Sequence, residues 1–76
     1  MKAPIEELFK YHPPKTAERI AKHDLINKLA LDLAKAVDES VQDETTKQYA
    51  IFAIQQARMF ANQGITFDEL NNNYAN

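Results

Sequence analysis

The side chains best suited to holding a flat, charged guest stand close together near the start of the chain. Lys15, Arg19 and Lys22 recur at helical spacing, and directly before them runs Phe9-Lys10-Tyr11-His12-Pro13-Pro14. Each proline locks its own φ and keeps the residue ahead of it out of the helical region, so this segment is a stiff elbow. It carries two aromatic rings and an imidazole beside a line of cations. That combination suits a nucleotide: bases stack on tyrosine, lysine and arginine meet phosphate, and arginine offers a two-pronged fork. The same residues admit a plainer reading. Asp68 and Glu69 could pair with Arg19 and Lys22, Phe9 and Tyr11 could pin the arm to the body, and His12 could be a hydrogen-bonded elbow residue. The amides Gln55, Gln56, Asn62 and Gln63 could read base edges, remain solvated or bridge subunits.

Catalysis finds little support in these residue types. No serine or cysteine nucleophile stands near a histidine, and a chain with 1 glycine has no glycine-rich phosphate loop. Glu6-Glu7 and Asp38-Glu39 are sequence neighbours and point to different sides of a helix, which does not build an acid–base pair. His12 and His23 belong to no zinc or calcium pattern, so neither a metal nor another cofactor is expected. The net charge of −2 argues against a sequence-blind grip on DNA, and helix two, with only Lys47 and Arg58, is no basic recognition helix.

The elements that must position the arm follow from the punctuation. Few prolines and glycines among abundant Ala, Leu, Lys, Glu and Gln predict an all-α chain. Pro4 opens a short helical arm that His12-Pro13-Pro14 must end, giving an arm over residues 1–14. Thr16 caps a first long helix over 16–40, a rod of roughly 37 Å. Gln42 to Thr46 form a polar turn, where Asp43 or Thr45 caps a second helix over 43–63. Gly64 reads as a left-handed C-terminal cap, leaving 65–76 as a tail in which Ile65 to Leu70 could add a further turn or two before frayed Asn71, Asn72, Asn73, Tyr74 and Asn76. The expected unit is an antiparallel αα-hairpin behind a short arm, in a single domain.

Rotation at 100° per residue places Leu25, Ile26, Leu29, Leu33, Ala36 and Val37 on one side of the first helix, to meet Ala50, Ala53, Ile54, Ala57, Phe60 and Ala61 of the second. Phe52 and Met59 lie on the opposite side of helix two, and Ile20 and Leu31 sit behind the main stripe of helix one. A hairpin has one inside, so outward apolar side chains suggest that copies pack together; the plainer alternative is a few surface apolars covered by a folded-back arm or tail. Length agrees: 76 residues make a marginal core, and without cysteine or a metal site self-association is the remaining remedy. No apolar run is long enough to span a bilayer, and Met1-Lys2-Ala3-Pro4-Ile5-Glu6-Glu7-Leu8-Phe9 has acids where a signal peptide needs an apolar core, so a cytoplasmic protein is expected.

Leu8-Phe9-Lys10-Tyr11-His12-Pro13-Pro14, a long helix, a polar turn and a second helix carrying Ala57-Arg58-Met59-Phe60-Ala61-Asn62 resemble the hairpin domain of phage anti-CBASS cyclic-oligonucleotide sponges, shared with anti-Thoeris sponges. The resemblance covers roughly residues 5–66. It implies a compact hexamer that binds cyclic dinucleotides such as cGAMP, and in some members cyclic trinucleotides, without cleaving them. Host CBASS-type signalling would thereby be starved in the cytoplasm of the infected bacterial cell. Tyr11 matches the tyrosine that stacks on a base. The family's basic position in mid-helix one falls on Asn27, with Lys28 beside it and Lys22 earlier, so a phosphate contact is expected from Lys22 or Lys28. Arg58 matches an arginine that either touches ligand or builds the subunit contact. In the turn, many members carry Arg-Glu-Lys where this chain has Thr45-Thr46-Lys47. Together these readings nominate Tyr11, His12, Pro13, Arg19, Lys22, Asn27, Lys28 and Arg58 as the cyclic-nucleotide site. The rival reading is a small oligomeric adaptor that recruits a host protein through its outer helix faces, with no nucleotide ligand.

Overall fold

The computed structural model describes residues 4–73, and among them there is no strand. Three helices follow one another: α1 (Ile5–Leu8), α2 (Ala17–Ser40) and α3 (Glu44–Asn73). Tyr74 and Asn76 of the expected tail lie outside the described residues. α2 begins where Thr16, in extended conformation, accepts the Arg19 backbone N–H on its hydroxyl at 3.1 Å. It ends at Val41, which is extended and donates its N–H to the Val37 carbonyl. Asp43 opens α3: its carboxylate accepts the Thr46 backbone N–H at 2.9 Å and the Thr46 hydroxyl at 2.8 Å, and these bonds, the backbone one foremost, hold its carboxyl below the ordinary value. At this closed end Lys47 bridges Asp38 at 3.4 Å and Glu44 at 3.6 Å. The long helices therefore pack antiparallel.

Two expectations are overturned. The second helix does not stop at Gln63; it runs through Gly64 to Asn73, and no described residue has positive φ. A helical glycine costs only about 1 kcal/mol, and no proline follows to stop the chain. The extension also carries Thr66, Glu69 and Leu70, all of which engage the start of α2 or the core. Tertiary contacts thus outweigh the local stop signal. A Cβ at Gly64 would meet nothing within 4 Å. Gly64→Ala should accordingly stabilise the chain by about 0.5–1 kcal/mol, read as a higher denaturant midpoint; a lower midpoint would show that the helix does not pass through this residue as described.

The second correction concerns the seam. Leu25, Leu29 and Leu33, expected to face helix two, are 53–56% exposed, and Ala36 is exposed too. The inward line is instead Arg19, His23, Ile26, Ala30, Ala34, Val37 and Val41. On α3 the half-buried residues include Lys47, Ala50, Ile51, Ile54, Ala61, Asn62 and Ile65, whereas Ala53, Ala57 and Phe60 point outward. The reason is that polar bonds set the rotation of α2 at the open end of the hairpin, and small Ala30 and Ala34 let the helices approach between them. Among the described residues only Leu70, 7% exposed, and Arg19, 6% exposed, are buried. The molecule is 18 Å in its thinnest direction, about two helices side by side at most. Large apolar side chains are left exposed on both long helices. Among the described residues, no helix is long and apolar enough to cross a membrane.

Candidate nucleotide-binding site

Arg19 organises the open end. Its Nη2 donates to the His12 carbonyl at 2.7 Å and to the Thr66 hydroxyl at 2.9 Å, and its Nη1 reaches the Pro13 carbonyl at 3.4 Å. Nη1 also lies 3.4 Å from the Glu69 carboxylate. One guanidinium therefore ties the arm, α2 and α3 together. A planar fork of fixed donors can serve carbonyls on one side and a carboxylate on another, which a lysine cannot do. The plainer reading of Arg19 is thus the observed one: Glu69 of the same chain pairs with it, and it is a clamp.

The arm that Arg19 holds is further closed on itself. The His12 ring Nε2 donates to the Glu7 carbonyl, and Lys10 pairs with Glu7 at 3.0 Å. Because the backbone of His12 and Pro13 is pinned, the neighbouring Tyr11 has a defined place without being packed away: its ring is 85% exposed. A flat ring on a pinned backbone is what a stacking platform requires.

Beneath the arm lies a shallow trough of about 320 Å³, bordered by Tyr11, His12, Ile20, Asp24, Asn27 and Asn62 among others. It continues along the same side of the hairpin into a second recess of about 390 Å³, where Asn27 and Leu31 of α2 face Gln55 and Arg58 of α3. The floor is a run of polar bonds: Arg19 Nε donates to His23 Nε2 at 3.3 Å, His23 Nδ1 meets Asn62 Oδ1 at 2.8 Å, and Asn62 Nδ2 donates to Asn27 Oδ1 at 2.9 Å. The Thr66 hydroxyl, which accepts from Arg19, donates to the Asn62 carbonyl at 3.1 Å.

Of the nominated residues, the structure gathers Tyr11, His12, Arg19 and Asn27 at the trough, with Arg58 further along it. Pro13 contributes its carbonyl to the Arg19 clamp. Lys22 is elsewhere, beside Glu18, Ile65 and Asp68 in a different recess, and pairs with Glu18 at 3.4 Å. Lys28 is exposed and bonded to Asp32 at 2.9 Å, and this hydrogen bond and its charge draw the Asp32 carboxyl below its ordinary value. The expected line of Lys15, Arg19 and Lys22 is consequently split between recesses rather than converging. Sequence reasoning passed over His23 and Thr66. The signal for His23 was its place one turn after Arg19 and one turn before Asn27, but an apolar stripe drawn through Leu25 and Leu29 turned it outward.

A hairpin of two long helices, with a stiff aromatic arm clamped across its open end and an amide-floored trough beneath that arm, makes a small all-helical module. The chain belongs to the family of the Acb2/Tad1 hairpin domain, whose model matches residues 1–66. This is the family of anti-CBASS and anti-Thoeris sponges, and it implies a role in taking up cyclic nucleotides without catalysis. No curated protein and no solved structure matches the chain.

Proposed function

We propose that this chain binds and sequesters cyclic oligonucleotide second messengers, cyclic dinucleotides such as cGAMP first among them, and so starves CBASS-type signalling in an infected bacterial cell without turning the ligand over. The observation that carries this reading is Tyr11: an exposed ring on a backbone pinned by Arg19, at the edge of a trough lined by amides. One face of a base would stack on the Tyr11 ring, and Asn27 and Asn62 would meet polar edges of the guest. His12 and Pro13 set the ring in place. Arg58 would neutralise a phosphate from the far end of the trough; it forms no ion pair among the described residues.

Lys22 and Lys28 do not border the trough, so on this reading they reach a guest only from another copy. A homo-oligomer, a hexamer by family likeness, supplies that copy. The outward Leu25, Leu29, Leu33, Phe52, Met59 and Phe60, each more than half exposed, favour it, since burying such side chains contributes about 1.5–3 kcal/mol each. Trinucleotide binding is part of the proposal only as the family's second mode.

The experiment is calorimetry of the purified protein against a panel of cyclic di- and trinucleotides, with native mass spectrometry of the same sample and recovery of ligand after denaturation. Expected are a multimer, intact recovered ligand and a dissociation constant near the nanomolar range, about −12 kcal/mol. Binding no tighter than micromolar for every nucleotide, or hydrolysed ligand, would defeat the proposal. Phe52 and Met59 also fit the adaptor reading, which predicts a multimer with no nucleotide affinity.

A further inference from the structure

We infer that His23 is a positioning residue that sets the hydrogen-bond polarity of the trough, so that Asn27 offers its amide N–H donors to the guest, and that protonating His23 switches this off. Arg19 is a donor whose role chemistry fixes, and it sits at the buried end of the relay. Arg19 Nε–H can only donate, and it points at His23 Nε2. That nitrogen must hold a lone pair, so the proton of the neutral ring sits on Nδ1. Nδ1–H then donates to Asn62 Oδ1, which turns the Asn62 amide so that its Nδ2 donates to Asn27 Oδ1. With Oδ1 turned toward Asn62, the Asn27 amide leaves both its N–H donors free for the trough, and those match an acceptor on the guest, whether a phosphodiester oxygen or a base acceptor. Each assignment forces the next, from a buried cation outward.

An imidazolium has no lone pair for Arg19 and would set two cationic donors against each other. Acidification therefore breaks the relay at its first link: repulsion from the guanidinium drives the ring out of its place, carrying the Nδ1–H donor away from Asn62 Oδ1, and the Asn62 and Asn27 amides lose their enforced orientation. The groups around His23 are Arg19 and Asp24 on α2, Tyr11 and His12 on the arm, and neutral Asn62 and Thr66 on α3, with Glu69 reaching Arg19 from behind. His12 is a second imidazole bordering the trough, so a variant must separate the two histidines. His23→Gln does so: its carbonyl can accept from Arg19 and its amide can donate to Asn62, with no charge to gain.

The inference rests on the sponge reading for its ligand, and its test has one arm that does not. Long-range nitrogen–proton NMR on the ligand-free protein at neutral pH should show His23 protonated on Nδ1; a ring protonated on Nε2 overturns the relay whatever the protein binds. With cGAMP as the probe, wild-type affinity should fall about tenfold between about pH 7.5 and pH 5, the range in which imidazoles titrate. His23→Gln should keep affinity within about threefold at neutral pH and lose most of the acid drop, while His23→Leu should lose about tenfold at every pH, on the scale of one hydrogen bond to a charged group. Wild type without an acid drop, or His23→Gln with the full one, would overturn the inference. If no cyclic nucleotide binds, the sponge reading fails, and the tautomer still decides the relay.

Discussion

Tyr11→Ala is expected to weaken cyclic-dinucleotide binding by about ten- to a hundredfold, since stacking of a base on an aromatic ring contributes roughly 1–3 kcal/mol. The ring is 85% exposed in the single chain and makes no side-chain hydrogen bond among those described, so its removal should leave the melting temperature of the free hairpin almost unchanged. That separation of affinity from stability makes the variant informative. Tyr11→Phe retains the stacking face and should bind nearly as wild type. Calorimetry with cGAMP and a thermal melt of each variant make the comparison. Unaltered affinity in Tyr11→Ala would remove the platform on which the proposed function stands, and capture of a protein partner in place of nucleotide would favour the adaptor.

At Arg19 the expected loss falls on the fold itself. Its truncation deprives the His12 and Pro13 carbonyls, the Thr66 hydroxyl and the Glu69 carboxylate of one donor at once, in the best-buried polar position of the described chain. Losing one side of a buried charge pair costs about 3–5 kcal/mol, and Glu69 retains some exposure, so about 3 kcal/mol is the expected loss for Arg19→Ala. A chain of this length holds roughly 5–10 kcal/mol in all, which makes this a large fraction. Arg19→Lys should recover only part of it, because an ammonium can face Glu69 but cannot serve the two arm carbonyls together. Denaturant unfolding gives the magnitude, and amide relaxation of residues 9–14 reports whether the arm is released. A denaturant midpoint equal to wild type, with an arm as rigid as before, would mean that the clamp holds nothing.

These two residues also mark how far the sequence could be read. Pro13 and Pro14 announced a stiff elbow and Tyr11 its reactive face, because proline geometry is local and needs no partner. Thr16 and Asp43 were legible as helix starts for the same reason: a side-chain oxygen before a helical run meets orphan N–H groups only a turn away. Family membership was legible too, in the order of the arm, the long helix and the Ala57 to Asn62 stretch. Gly64 misled, since a glycine after a periodic run looks the same whether or not Thr66, Glu69 and Leu70 find partners beyond it.

What local chemistry determines, the sequence determined by itself: an all-helical chain, the place of its first long helix and turn, and an aromatic arm beside Arg19. Which way each helix turns about its own axis was decided only in the folded hairpin. There, three leucines at ideal spacing lost the inward position to Arg19 and His23, because hydrogen bonds to Thr66 and Asn62 cannot be relocated, whereas an apolar surface can be covered by a second copy as well as by the other helix. Rotation of α2 in turn separated Lys22 from Tyr11 and joined Asn27 to it. Composition and spacing name the residues available, but the partners that fix their direction lie on another helix, far away in the chain.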